Sequence, residues 1–456
     1  LSTLIYGATV VAGDTIMEPG AVLLRGGRIE ALLDRWEQPG EAFPGEAIDA
    51  RGCVVMPGLI NGHTHGVTPG ALFPSAAHSL SRDRWMGHLD RHLLAGTTTV
   101  LSLCGLGAMA DVREADRHHA VHVRGATTHL PLALQAAQAS DGHGLTRAAR
   151  ELSVERMLED GAVAIGELGG GQTLGGGGQD LIYIPEAIAK RTGIRVSSSQ
   201  ARRLKEAVLG RFIQTGALDE RRLSDLAGET GLAGALPLGE LAALIADTVL
   251  PSMEPALGAI RDGVRTALKL GVPAIVHSAS ATANVMRELM DETPSKGAQL
   301  IAAHANHPSH TPQEAYELAM RGKDKGWAAE ACVFDLLHRR HTVQTREHWD
   351  RLLSEPDLVS VLATDYGKDG EHDELISAVQ DVFNQGHRSL AGAVAMATTE
   401  VARLIPGIAP DCSKLRAGGA ADIVVASAAD FRDVKFVFVD GQCVVRNGEL
   451  TEEAHR

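Results

Sequence analysis

Cysteine is scarce in this sequence. Cys53, Cys104, Cys332, Cys412 and Cys443 stand apart, odd in number and with no CxxC pair. That excludes a disulfide framework and predicts reduced thiols in a cytoplasmic protein. Positive charge is also short: 43 Lys and Arg stand against 57 Asp and Glu, a formal net charge of −14 over 456 residues. Nucleic acid is therefore not expected as a general partner, because phosphate recognition needs a clustered positive field. No uninterrupted apolar run reaches about 18 residues, so no membrane span is expected. The opening LSTLIYGATVVAGDTIMEPG has no charged n-region and no long h-region, so it does not read as a signal peptide. What the chain does have is an ordinary apolar share, 44%, enough to bury a sizeable core, and 20 histidines. If a metal is bound, imidazole and carboxylate are better candidate ligands than thiolate.

Both ends of the chain read as short strands and tight turns. Residues 3–11 are β-rich and 21–32 form a hairpin across Gly26-Gly27. Near the other end, DIVVAS (422–427) is a strand and VKFVFVDGQCVV (434–445) a hairpin turned by Asp440-Gly441. Together they predict one small β-sandwich built from both termini, residues 1–56 and 406–456. Between them, eight apolar runs read as buried strands: 54–60, 97–103, 120–127, 162–168, 272–277, 300–304, the region 329–334, and 360–365. Helical segments separate them. One is 256–270, with Leu257, Ile260, Val264 and Leu268 on one face and a stop at Gly271 and Pro273. Another opens at the capping box Thr311-Pro312-Gln313-Glu314 and ends at Gly322. Eight strands alternating with helices predict a (β/α)8 barrel over 57–405, although the alternation alone also fits a doubly wound sheet. Glu167 and His277 are about 110 positions apart, where one βα unit needs about 30. The surplus, about 190–250, reads as a helical insertion serving as a cap or an oligomer contact. The glycine run 169–178 lacks the Lys of a P-loop and reads as a mobile loop at the barrel mouth.

The sharpest local signal is PGLINGHTHG (57–66). His63 and His65 are two apart at a strand end, so both imidazoles can reach one ion; two solvent-facing loop histidines are the plainer reading. Glu167, His277, His304 and Asp365 each end a later apolar run. Singly, each reads as a satisfied core or loop residue. Together they occupy the C-terminal strand ends where barrel active sites sit. Four His and two carboxylates suit Zn, Fe, Mn or Co, with Zn the default.

These residues resemble the amidohydrolase superfamily, and the likeness covers nearly the whole chain: the N-terminal strands, PGLINGHTH, the strand-end residues in order, and GGAADIVV followed by the DGQCVV hairpin. The resemblance implies a (β/α)8 TIM-like barrel with a composite sandwich. It implies two divalent ions, His63, His65 and Asp365 holding one and His277 and His304 the other. Glu167, within AIGELG, falls where many members carry a bridging carboxylated Lys. That is similar to enamidase and to some deacetylase members. If Glu167 is instead a cap or surface residue, one ion is implied. The sequence departs from the pattern twice: VHSASATAN lacks the Glu that deaminase members carry after the fifth-strand His, and compact enamidase-like barrels lack the insertion.

The function so implied is hydrolysis of a C–N bond in a cyclic amide, enamide, carbamate or related small molecule. Water is activated at the metals, and Asp365 serves as general base and then acid. Alternatives are hydrolytic deamination of a heterocycle and a scaffold that has lost catalysis. His129, after the third strand, is a candidate oxyanion donor, and Lys368, Arg82 and Arg84 are candidate carboxylate binders, solvated loop charges being the plainer reading. His307 and His310 read as loop non-ligands; His118, His119, His122, His338 and His341 have no strand-end context. A small-molecule substrate and a homo-oligomer complete the expectation.

Overall fold

One apolar run, 54–60, feeds two different sheets. It divides at Gly58 into Cys53–Pro57 and Leu59–Thr64, where the sequence had suggested a single strand. A side chain at Gly58 would lie 2.1 Å from the Thr98 hydroxyl, so only glycine lets the chain turn this close to the second barrel strand. The computed structural model describes residues 2–36, 43–70, 79–143, 145–170, 178–213, 216–293, 299–333, 346–365 and 375–456.

The first sheet has nine strands and draws on both termini. Ser2–Ala12 pairs with Thr15–Arg25, which pairs with Arg28–Asp34 across the expected Gly26-Gly27 turn. The C-terminal strands Ile423–Ser427, Val434–Val439, Gln442–Arg446 and Glu449–Leu450 continue the sheet. Cys53–Pro57 joins the halves, antiparallel to Ile423–Ser427 and parallel to Ser2–Ala12. Its core packs Ile5, Val10, Val22, Ile29, Val55, Ile423 and Phe438.

The second sheet is the barrel: Leu59–Thr64, Thr97–Ser102, His122–Thr127, Ala164–Leu168, Ala274–His277, Leu300–Ala303, Ala328–Cys332 and Val359–Ala363, all parallel and paired in chain order. Ile60, Leu101, Ala126, Ala164, Ile275, Ile301 and Val361 fill the interior together with Val401, Leu404, Ile405 and Ile408 from beyond the last strand. Side chains at the alternate positions, such as Leu59, Ala274, Leu300 and Leu362, join the clusters that include the helices. The first and last strands meet through borrowed groups rather than a regular ladder. Ile60 N–H and Leu362 N–H donate to the carbonyls of Ala397 and Met396, and Asp365 N–H donates to His63 at 3.0 Å. The Asn61 side chain donates to the Thr364 hydroxyl at 2.6 Å and accepts from Thr364 N–H.

Between the fourth and fifth strands the chain makes a helical excursion. Ile184–Thr192, Ser198–Leu209 and Glu220–Glu229 pack a core of their own with the first half of a 33-residue helix, Leu238–Leu270. This helix begins 18 residues before the expected start at 256 and runs through Pro251 and Pro255. Proline costs a helix its hydrogen bond and crowds the preceding turn. The apolar stripe Leu241, Ile245, Val249 on the excursion side and Ala256, Ile260, Val264 on the barrel side buries enough surface to offset both interruptions. By length and composition the helix could cross a membrane, but it carries Glu240, Asp247, Glu254, Arg261, Asp262, Arg265 and Lys269 and packs both clusters. Arg211 anchors the excursion to the barrel: it pairs with Glu314 and donates to the Ser309 carbonyl at 2.9 Å. The helix carrying Glu314 has the expected capping box, and it runs to Asp324 rather than ending at Gly322.

Candidate metal centre

Simple alternation does not aim these residues into the barrel. On the first strand, Ile60 faces in and Gly62 lies against Val401 of the interior plug, so strict alternation would point 63 and 65 outward. Pairing with the second strand slips between Asn61 and Thr64, and the slip turns His63 and His65 inward. The fourth strand uses the same device. Ala164 faces in, Ile165 and Leu168 both face out, and pairing slips between them, which leaves Glu167 pointing in. On the sixth strand Ile301 and Ala303 face in and Ala305 packs outside; His304 takes φ +54° and swings back over the mouth. Asp365 also has a positive φ, +55°. Non-glycine residues seldom adopt this conformation, and its strain of about 1–3 kcal/mol persists only where the surroundings enforce it.

The structure brings all six strand-end residues together. His63 Nε2 lies 3.6 Å from a Glu167 oxygen and 3.6 Å from an Asp365 oxygen. His65 Nε2 is 3.1 Å from Asp365 and 3.8 Å from Glu167. His277 Nδ1 meets Glu167 at 2.5 Å, and His304 Nε2 lies 3.6 Å from Glu167 and 3.8 Å from Asp365. Three overlapping ligand groups result: His63, His65 and Glu167; His63, His304 and Asp365; and Glu167, His277 and His304. Glu167 belongs to two of them. Gly170 is pressed against it: a side chain there would stand 2.0 Å from its carboxylate, so this glycine of the run is needed for close approach. Residues 171–177 of the run, expected as a mobile mouth loop, lie outside the described residues.

The donor set fits a divalent cation. Donors about 2.0–2.2 Å from a zinc ion at tetrahedral angles stand about 3.3–3.6 Å apart, close to most of these separations. Among the described residues His63 Nε2, which is buried, finds no hydrogen-bond partner, yet two carboxylates face it. Burial opposes charge on His63, but Glu330 and Glu167 beside it pull its pKa well above the usual imidazole value. His65, against the same burial cost, is pushed up to about 10 by hydrogen bonds with Asp365 and Cys104. Burial likewise disfavours the charged carboxylates, and the surrounding imidazoles nonetheless hold Glu167 and Asp365 well below the usual carboxylate range. The site therefore favours positive charge, which a bound cation supplies in place of protons.

Three contributors were not singled out from the sequence. Glu330, on the seventh strand and 2% exposed, accepts from His63 Nδ1 at 2.8 Å, which leaves Nε2 toward the centre. A charged residue inside AAEAC was a visible signal. Cys104 Sγ sits 3.8 Å from His65 Nδ1, and His88 Nδ1 donates to the Gly66 carbonyl at 2.7 Å, steadying the turn after the histidines. Neither has a sequence signature.

The weaker candidates divide. His129 is buried, its Nδ1 2.9 Å from the Thr127 hydroxyl, and burial lowers its pKa to about 4, so it is a neutral imidazole. Arg82 and Arg84 are exposed, and Arg82 lies over the Trp85 ring. Lys368, His338 and His341 lie outside the described residues. His119 pairs with Asp90, and His122 with Asp422, away from the centre. His307 joins none of the ligand groups, but its ring lies 5.3 Å from His277.

The amidohydrolase family model matches residues 248–444. A 55-residue stretch, 12% of the chain, is 46% identical to the imidazolonepropionase of Chromobacterium violaceum. An 86-residue stretch, 18% of the chain, is 34% identical to the 5-methylthioadenosine/S-adenosylhomocysteine deaminase of Pelotomaculum thermopropionicum. These stretches span only 13% and 19% of the two relatives. Similar solved structures include a prolidase complexed with N-methylphosphonate-L-proline (TM-score 0.56, 16% identity, covering 98% of this chain and 100% of that one). Others are the β-aspartyl dipeptidase of Fervidobacterium islandicum AW-1 with a dipeptide (0.56, 14%, 99% and 98%) and the L-hydantoinase of Arthrobacter aurescens (0.55, 15%, 98% and 97%). Such identities speak for the fold alone. Over residues 248–444 the chain is therefore similar to the amidohydrolase family, and along nearly its whole length it shares the fold of these solved structures.

Proposed function

We propose that the protein is a metal-dependent hydrolase of C–N bonds in small molecules such as cyclic amides, enamides, carbamates or peptide-like amides. The observation that carries this reading is the convergence of His63, His65, Glu167, His277, His304 and Asp365 at one barrel mouth. In this reading His63, His65 and Asp365 hold one divalent ion, His277 and His304 a second, and Glu167 lies between; zinc is the default. Bound there, such ions supply Lewis acidity, making water a nucleophile near neutral pH and polarising a carbonyl. The rest of the work falls to the chain. Glu330 fixes the His63 ring. Asp365, kept as a carboxylate by its neighbours, takes the proton of the attacking water and returns it to the leaving nitrogen, which departs poorly unless protonated. His129 is a candidate for holding the substrate oxygen and Lys368 for a substrate carboxylate. A cavity of about 370 Å³, a volume suited to a small molecule, is bounded by Pro69, Cys104, Leu106, Ala108, Asp111 and Thr146; of these, Cys104 also contacts His65. The helical excursion offers a surface for a homo-oligomer, which size measurement in solution tests.

Hydrolytic deamination is the second reading, favoured by the 86-residue deaminase match. Against it, Ser278, Ala279, Ser280, Ala281 and Thr282 follow His277 without a carboxylate.

The test is metal analysis of protein purified without chelator, followed by lactams, N-acyl amines, carbamates, ureas, dipeptides and amino-heterocycles assayed with Zn, Mn or Co. One to two equivalents of metal and amide cleavage are expected. Well under one equivalent would overturn the hydrolase reading. Ammonia release from an intact ring would replace it with the deaminase.

A further inference from the structure

We infer that His307 is a catalytic residue: through Nε2–H it donates a hydrogen bond to the oxygen on which negative charge develops when a substrate carbonyl is attacked. The inference rests on the hydrolase reading above and adds a group that ligand spacing passes over.

His307 lies three residues beyond His304, in a loop that folds back at once. His307 N–H donates to the His304 carbonyl at 2.8 Å, and His310 N–H donates to the His307 carbonyl at 3.1 Å. The ring is 3% exposed, 5.3 Å from the His277 ring and 6.0 Å from the His304 ring, edge-on to both. It therefore stands on the wall beside the ligand group of Glu167, His277 and His304.

Its hydrogen bonds decide what it can do. Ser309 N–H donates to His307 Nδ1 at 3.1 Å. The Ser309 hydroxyl lies 2.8 Å from the same nitrogen. That hydroxyl oxygen accepts from Ser280 N–H at 2.9 Å, and because Nδ1 is already an acceptor for Ser309 N–H, the hydroxyl proton is the one that bridges to His307. Nδ1 thus accepts twice and carries no proton. In a neutral imidazole the proton must then sit on Nε2. A ring protonated at Nε2 has no lone pair there for a metal, and His307 joins none of the ligand groups formed by the described residues. It is a fixed donor instead. A preorganised donor in a water-poor site stabilises a developing oxyanion and needs no rearrangement as the reaction proceeds.

His307→Asn separates this role from a structural one. The Asn amide oxygen replaces Nδ1 as acceptor for Ser309 N–H, but nothing replaces the distal donor. His307→Gln carries an N–H to the depth of Nε2. With zinc-loaded protein, His307→Asn is expected to keep wild-type metal content and thermal midpoint. It should bind methylphosphonate, an anionic tetrahedral probe, about tenfold or more weakly, and lose about 10²–10³ in kcat with little change in KM on any substrate found; His307→Gln should recover most of both. Equal methylphosphonate affinity in wild type and His307→Asn, no binding by loaded wild type, or loss of metal from His307→Asn overturns the inference. Nitrogen NMR of the wild-type ring tests it without mutation: the Nε2–H tautomer is expected, and the Nδ1–H tautomer refutes it. These outcomes are read on protein that has taken up metal, so they stand apart from a failure of the hydrolase reading, which would show as wild type that binds none.

Discussion

His63 has two ring nitrogens with two tasks. Nδ1 donates to Glu330, so the lone pair of Nε2 faces the centre. In Glu330→Gln the amide oxygen still accepts from Nδ1, so the ring keeps its orientation but loses the negative charge behind it. Metal affinity, measured by chelator competition, is expected to fall about 10–100-fold; unchanged affinity would reduce Glu330 to a packing residue. Asp365 makes the opposite prediction. An amide oxygen there keeps one donor for the ion but cannot accept and return a proton, so Asp365→Asn should retain most of its metal while turnover falls by about 10²–10⁴. A variant with near wild-type rate would remove Asp365 from the chemistry. At this scale the six converging residues were legible, because each is a polar group ending an apolar run. Glu330 was legible in principle, as a charge inside such a run. The left-handed backbone of His304 was not, because nothing in LIAAH marks a residue that non-glycine side chains rarely permit.

Whole elements answer to forces that local signals only partly reveal. The Thr311 capping box is visible in sequence because its partners are three residues apart. The same Glu314 carboxylate also receives Arg211, 103 residues away, and that contact fastens the excursion to the barrel. Burial alone would raise the pKa of Glu314, but Arg211 and the Thr311 N–H bring it down to about 2 from an ordinary 4.5. A depressed carboxylate contributes stability that is fully present above pH 4.5 and is lost as pH falls toward 2. Glu314→Gln should therefore be less stable than wild type at pH 7, by on the order of 1 kcal/mol for a partly solvated pair. The deficit should shrink as pH falls through that window; thermal midpoints measured in parallel across pH test it, and a pH-independent deficit would mean that the charge does not act. The helix Leu238–Leu270 shows the limit of local reading. Pro251 and Pro255 argue for a break, and only the two cores meeting along that helix show why there is none.

At the scale of the whole molecule, closing the barrel and building the centre are one event. The alternation of strands and helices and the matching hairpins at the two ends made both sheets legible. The seam was not, because it depends on which strand ends touch. The first strand brings His63 and His65, the last brings Asp365, and Asn61 ties them with a donor to the Thr364 hydroxyl and an acceptor for both Thr364 N–H and His63 N–H. Asn61 is fully buried. Asn61→Ala would strand two buried backbone donors and cost about 2–4 kcal/mol. If the seam also sets the spacing between the histidines and Asp365, the loss cannot stop at stability. Metal stabilises the folded state in proportion to the logarithm of its concentration over the dissociation constant, so a displaced ligand pair shrinks the rise in thermal midpoint on adding zinc. Asn61→Ala is expected to melt lower than wild type without metal and to gain less from zinc. A variant that melts lower yet gains as much as wild type would separate barrel closure from the centre, and the seam would then be a matter of stability alone.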